Sequence, residues 1–246
     1  MRKALNYLYI AYYGAIFIGL FLILYPFLWL LLRSQKTYVL ADYLRKFWGK
    51  TSTYLGLMWP QISYEQKLSR KNQYVYCPNH MSYIDIVLTG GFLPTFNFFM
   101  AKFELSKIPL FNIWFKTIDV PVKRESLRGS HNAFIEAGKK LDQGSSLIIF
   151  PEGRIPNDTP KVKYPFKLGA FKLAIEKKLP VVPVTLFDNY RRLESFKFIM
   201  SPGKMRMKVH APIETKDLSI DDAESLAERV YSIINDDLLN AGIISK

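Results

Sequence analysis

Between Ala4 and Leu32 the chain runs for 29 residues without a charged side chain. A helix of that length is about 44 Å long, against a bilayer hydrocarbon core of about 30 Å. It exceeds the roughly 7–15 apolar residues of a signal peptide. The Leu31-Leu32-Arg33-Ser34 junction offers no small-residue cleavage site. The segment therefore reads as a retained membrane anchor. Aromatics such as Tyr7, Tyr12 and Trp29 suit the headgroup level. Pro26 lacks an N–H and bends such a helix.

A second segment, Thr37 to Met58, places Val39, Leu40, Tyr43, Leu44, Phe47 and Trp48 at helical spacing, with Asp42, Arg45, Lys46 and Lys50 opposite. Such a helix lies in the interface plane, packs on the first helix, or simply covers a globular domain. Residues 1–60 are thus expected to form the anchor, and residues 61–246 the folded domain. Arg33, Lys36, Arg45, Lys46 and Lys50 follow the apolar run and outnumber Arg2 and Lys3 before it. That bias puts the folded domain on the cytoplasmic side of the bilayer. A tilted single span and a helical pair dipping into one leaflet both satisfy the sequence.

In 246 residues, 49% apolar, there is enough material for a core. The single cysteine, Cys77, excludes a disulfide framework. His80, His131 and His210 are too scattered in sequence for a His-rich metal centre. The net charge is +13, yet Glu214–Asn240 carries eight acidic and two basic residues. Lys161–Lys208 has the opposite bias, twelve basic and three acidic. A basic surface beside an anchor suits anionic headgroups or a phosphorylated substrate. Nucleic acid is the rival polyanion, and the anchor argues against it.

Strands are expected at 74–77, 95–100, 120–122, 146–150, 181–186 and 205–209. Helices are expected at 83–89, 105–117 with a break near Pro109, 126–141, 166–178 and 219–239. This alternation indicates an α/β domain: a central, mostly mixed sheet flanked by helices, preceded by the anchoring helical segment.

Two strand ends carry unusual polar residues. After the first strand comes Asn79-His80-Met81-Ser82-Tyr83-Ile84-Asp85. A carboxylate five residues beyond a histidine, in the first turn of a helix, can fold back to one imidazole nitrogen. That bond fixes the tautomer and leaves the other nitrogen free to take a proton. Capping or a core position would use the same residues. The second is Phe150-Pro151-Glu152-Gly153-Arg154, at a strand end where α/β sheets place ligands. Gly153 permits close backbone approach, and Arg154 can bind a phosphate through paired hydrogen bonds. Plain strand-to-turn punctuation would look alike.

Together, about seventy residues apart, the two blocks resemble those of the glycerolipid acyltransferase family, and most those of its bacterial members acting on 1-acylglycerol 3-phosphate. Val120-Pro121-Val122-Lys123-Arg124 and Val181-Val182-Pro183-Val184-Thr185 resemble two further blocks. Arg154 directly follows Gly153, where the family often has an intervening threonine, and Asp119 stands near a frequent glycine. The resemblance implies transfer of a fatty acyl group from acyl-CoA or acyl carrier protein to the sn-2 hydroxyl of lysophosphatidic acid. The alternative is the same chemistry on glycerol 3-phosphate, another lysophospholipid or a lyso-aminolipid, and a more remote one is a non-enzymatic module that binds anionic lipid. The resemblance further implies His80 as general base and Asp85 as its orienting group. Arg124 and Arg154 would hold the acceptor phosphate, with Lys123 or Lys167 in support at the Gly153 turn. Glu152 would bind glycerol hydroxyls or brace an arginine. The implied chemistry needs no metal or resident cofactor, and the implied location is the cytoplasmic face of the inner cell membrane.

Overall fold

The computed structural model describes residues 2–245. Helix α1 (Arg2–Leu31) and helix α2 (Tyr38–Leu55) form an antiparallel hairpin. Tyr9 Oη donates to Gly56 O, Tyr12 Oη to Leu55 O (2.8 Å) and Trp48 Nε1 to Phe17 O (2.8 Å). Leu57, at φ 56°, turns the chain directly into strand β1 (Met58–Tyr64).

The remaining elements are β2 (Val75–Pro78), α3 (Asp85–Phe92), β3 (Asn97–Lys102), β4 (Val120–Val122), α4 (Leu127–Asp142) and β5 (Ser146–Ile148). They continue with α5 (Gly169–Glu176), β6 (Val181–Leu186), α6 (Asn189–Arg192), the short strands β7 (Leu193–Glu194) and β8 (Ile199–Met200), β9 (Gly203–Val209) and α7 (Ala223–Asn240). The main sheet has the order β1-β9-β6-β2-β5-β3-β4. Strands β6, β2, β5, β3 and β4 are parallel, while β9 is antiparallel to β6 and β1 parallel to β9. The expected mixed sheet is present, with a reversed pair at one side. Every carboxyl end of the five parallel strands falls on one edge.

Strand β1 has no counterpart in the sequence reading, because the apolar spacing of α2 runs on to Met58. It is an edge strand, where Pro60 deprives no inner neighbour of a donor. The helix expected over 105–117 is instead two 3-10 turns, Phe103–Lys107 and Phe111–Ile113. Pro109 lacks a donor, and Leu110 sits at φ 63°, so an α-helix cannot pass.

The hairpin is locked to the sheet by buried charge. Arg45 Nη1 meets Asp119 Oδ1 at 3.0 Å, and Nη2 meets Asp42 Oδ1 at 2.7 Å and Asn97 O. Lys46 Nζ is 2.6 Å from Asp42 Oδ2. Two of the cations counted above as flanking the anchor are thus spent internally. Phe21, Leu24, Leu28 and Leu32 belong to the same core as Phe98 and Trp114, so α1 packs on the α/β part as well as on α2.

Candidate active site

The sheet register builds the site. Tyr76 of β2 pairs with Ile148 of β5. Four residues beyond each lie His80 and Glu152, which therefore leave the same edge side by side. The His80 N–H donates to Glu152 Oε1 at 2.6 Å, and Phe150 stacks on the imidazole with centroids 4.0 Å apart.

His80 Nδ1 lies 2.9 Å from Asp85 Oδ2. Asp85 is fully buried at the start of α3. Its Oδ2 also accepts from the Met81 and Ser82 N–H groups at 2.8 Å each, and its Oδ1 from Asn189 Nδ2 at 2.7 Å. Four donors thus converge on one carboxylate and fix its orientation. The bond at Nδ1 leaves Nε2, which has no hydrogen-bond partner among the described residues, to face a substrate. Nothing in the sequence marked Asn189, which stands 104 residues from Asp85 and arrives just past the end of β6. Asn79 works similarly: its side chain receives Leu186 N–H at 2.7 Å and donates to Leu186 O at 3.1 Å, tying the His80 loop to β6.

Glu152, expected to bind glycerol hydroxyls or brace an arginine, meets backbone donors and no arginine among the described residues. It is fully buried, and its second oxygen accepts the Lys163 N–H at 2.8 Å. Burial pushes its carboxyl up to about 8, against the pull of the two backbone donors. Its geometry is that of a brace between the His80 backbone and the loop before α5.

Four of the expected binding residues gather nearby. Arg124, two residues past β4, donates to Gly153 O. Gly153, at φ 72°, lies under Lys167: a Cβ there would stand 2.6 Å from Lys167 Cε. Burial, then the charges of Arg124, Lys163 and Arg154, depress the Lys167 ammonium. Glu104 offsets part of the charge at Arg124, and like charges crowded this way favour a bound anion such as a phosphate. Lys123 stands apart, its ammonium 4.5 Å from the Phe103 ring centroid. Arg124 and Lys167 border a cavity of about 260 Å³ whose walls include Met100, Val122, Phe134 and Phe150. Phe150 thus separates the cavity from His80. Ser82 Oγ is buried and donates to Leu193 O at 2.7 Å, so it is not presented as a nucleophile. Cys77 is fully buried in β2, and burial raises its thiol, which leaves it inert.

A paired histidine and aspartate at the carboxyl edge of an α/β sheet, beside a cation-rimmed apolar cavity, suit chemistry on an amphiphile. Residues 60–186 match the acyltransferase family, and the chain belongs to it. It is 32% identical over 184 residues to the 1-acyl-sn-glycerol-3-phosphate acyltransferase of Saccharomyces cerevisiae, covering 72% of this chain and 59% of that relative. A chloroplastic enzyme of the same description from Brassica napus is 27% identical over 216 residues, covering 86% of this chain and 61% of the relative. The chain thus spans about three fifths of the length of these two relatives. The crystal structure of the 1-acyl-sn-glycerophosphate (LPA) acyltransferase PlsC from Thermotoga maritima superposes with a TM-score of 0.80 at 26% identity, over all of both chains. The family suggested by the paired sequence blocks is the family found.

Proposed function

We propose that this protein transfers a fatty acyl group from acyl-CoA or acyl carrier protein to the sn-2 hydroxyl of lysophosphatidic acid, forming phosphatidic acid. The observation that carries the reading is the His80–Asp85 pair, held at the same sheet edge as the crowded Arg124–Lys167 cations. His80 Nε2 takes the acceptor hydroxyl proton as its oxygen attacks the thioester carbonyl. Asp85 stabilises the imidazolium. The tetrahedral intermediate collapses, the carbon–sulfur bond breaks, and His80 returns the proton to the departing thiolate. No acyl-enzyme forms, and the direct transfer uses no resident cofactor. Arg124, Lys167 and Arg154 hold the acceptor phosphate.

The hairpin supports attachment to one leaflet. An α1 that crossed the bilayer would carry its ends to opposite sides. Here Tyr9 and Tyr12 near one end, and Leu28 and Leu32 near the other, all pack against parts of the same folded unit. The charges left to interact with headgroups include Arg33, Lys36 and Lys50, which keeps the cytoplasmic face of the cell membrane as the proposed location.

An acyl-transfer assay on purified protein, offering lysophosphatidic acid, glycerol 3-phosphate and lysophosphatidylcholine with each donor, tests this. Phosphatidic acid formed from lysophosphatidic acid alone, and reduced at least ~10²-fold in His80→Ala, is the expected result. Product from another acceptor moves the substrate and keeps the mechanism. Turnover unchanged in His80→Ala removes the proposed base.

A further inference from the structure

The short hairpin formed by β7 and β8 is exposed where a soluble protein would bury it. Phe196, Phe198 and Ile199 are 49%, 63% and 47% accessible. Phe198 occupies φ 50°, a left-handed position that favours glycine or asparagine and disfavours a bulky ring. The turn itself gives no reason for a phenylalanine there. A surface the ring can enter does.

That surface is indicated by what the hairpin grips. Asn6 of α1 donates to Phe198 O at 3.1 Å and accepts the Met200 N–H at 2.8 Å, clamping β8 and the turn that leads into it. Leu5 and Leu8, flanking Asn6, are 60% and 66% accessible. The hairpin therefore extends the uncovered apolar surface of α1 onto the α/β domain. Its other side holds the catalytic loop. Leu193 O accepts from Ser82 Oγ at 2.7 Å, and Ser195 Oγ accepts from the Tyr83 N–H at 2.9 Å. Arg191 and Lys204 lie beside the hairpin in sequence and Lys197 sits in its turn, with Glu194 the one acid among them, paired to Lys197 at 2.6 Å. Apolar tips among cations fit the boundary between acyl chains and headgroups.

We infer that the β7–β8 hairpin is a lipid-inserting element which fixes the catalytic loop at the bilayer surface, with Phe196, Phe198 and Ile199 among the acyl chains. The inference rests on the reading of α1 as lipid-embedded, and commits to a bilayer as occupant.

Cys77 is buried, so a cysteine introduced on the surface is the accessible thiol. Nitroxide labels on Phe198→Cys, Ile18→Cys of α1 and Glu224→Cys of α7 are compared in vesicles of phosphatidylcholine and phosphatidylglycerol. Collision with oxygen should dominate over collision with a water-soluble nickel chelate at 198 and 18, and the reverse should hold at 224. A label at 198 that behaves like the one at 224, while 18 is in lipid, overturns the inference. All three labels in water overturns it together with the lipid-embedded α1. Spin–spin broadening at 198 makes a second copy the occupant and overturns it too. These readings do not depend on turnover, so they stand whatever acceptor the enzyme uses. A second arm uses Phe196→Ser with Phe198→Ser. Turnover on vesicle-borne lysophosphatidic acid should fall by roughly tenfold or more, while turnover on a short-chain, water-soluble acceptor is unchanged. An equal fall on both makes the hairpin a brace for the catalytic loop and overturns its insertion into lipid.

Discussion

At the scale of single residues, the site is governed by how completely each polar group is used. Glu152 spends both oxygens on backbone N–H groups, yet burial raises its carboxyl from 4.5 to about 8. A carboxyl raised on folding stabilises the fold fully below its unfolded value, and that contribution is lost as pH rises through the folded one. The thermal stability of the protein relative to Glu152→Gln should therefore decline between pH 4.5 and about pH 8. Melting curves at several pH values check this; a difference independent of pH would show that Glu152 does not titrate as proposed. Asn189 contributes through Asp85. Asn189→Ala should lower kcat by roughly tenfold with little change in either KM, a smaller loss than at His80, because three donors to Asp85 remain. Arg124 acts on binding. Arg124→Ala should raise the KM for the phosphorylated acceptor and leave the donor KM unchanged, as steady-state kinetics with each substrate varied would reveal. A change confined to the donor KM would reassign the residue.

At the scale of elements, the joint between α2 and the sheet decides stability. Arg45 is buried with Asp42 and Asp119, and burial raises the Asp119 carboxyl even with the guanidinium beside it. Removing one member of a buried pair leaves an uncompensated charge, which costs about 3–5 kcal/mol. Arg45→Ala should therefore lower the melting temperature sharply. Arg45→Met combined with Asp119→Asn should recover part of the loss, since the orphaned charge is then gone. A melting temperature equal to wild type in Arg45→Ala would mean α2 is held by its apolar contacts alone. The helix boundaries at this scale follow local chemistry. Ser219 donates through both N–H and Oγ to Asp222 at 2.8 Å, at the start of the segment expected as a helix over 219–239. The break at Pro109 was legible too, but not that both flanking pieces would shrink to 3-10 turns.

At the scale of the whole molecule, the apolar N-terminal run, a candidate anchor, also serves as core. Phe21, Leu24, Leu28 and Leu32 are buried against the domain, while Ile23, Phe27 and Leu30 between them are exposed. A chain lacking residues 1–34 should lose cooperative melting or aggregate, because it exposes the apolar surface those four side chains cover. Size-exclusion chromatography with thermal melting distinguishes this from a detachable anchor, which would leave a monodisperse domain with an unchanged transition.

The sequence by itself determined the α/β class, the order of most elements, the apolar N-terminal segment and the His80–Asp85 pairing. Each depends on short separations: a period of two or of 3.6, a proline, or a carboxylate one turn from a histidine. Tertiary structure alone decided what meets across the sheet. His80 and Glu152 become neighbours only when β2 and β5 pair in one register, and Asp85 meets Asn189 only when β6 flanks β2. Strand β1 was hidden because edge strands tolerate irregular patterns and Pro60. The roles of Arg45 and Lys46 were misread for a related reason. A charge has the same letter in solvent and in a buried network, and only the packed fold determines whether an aspartate stands opposite.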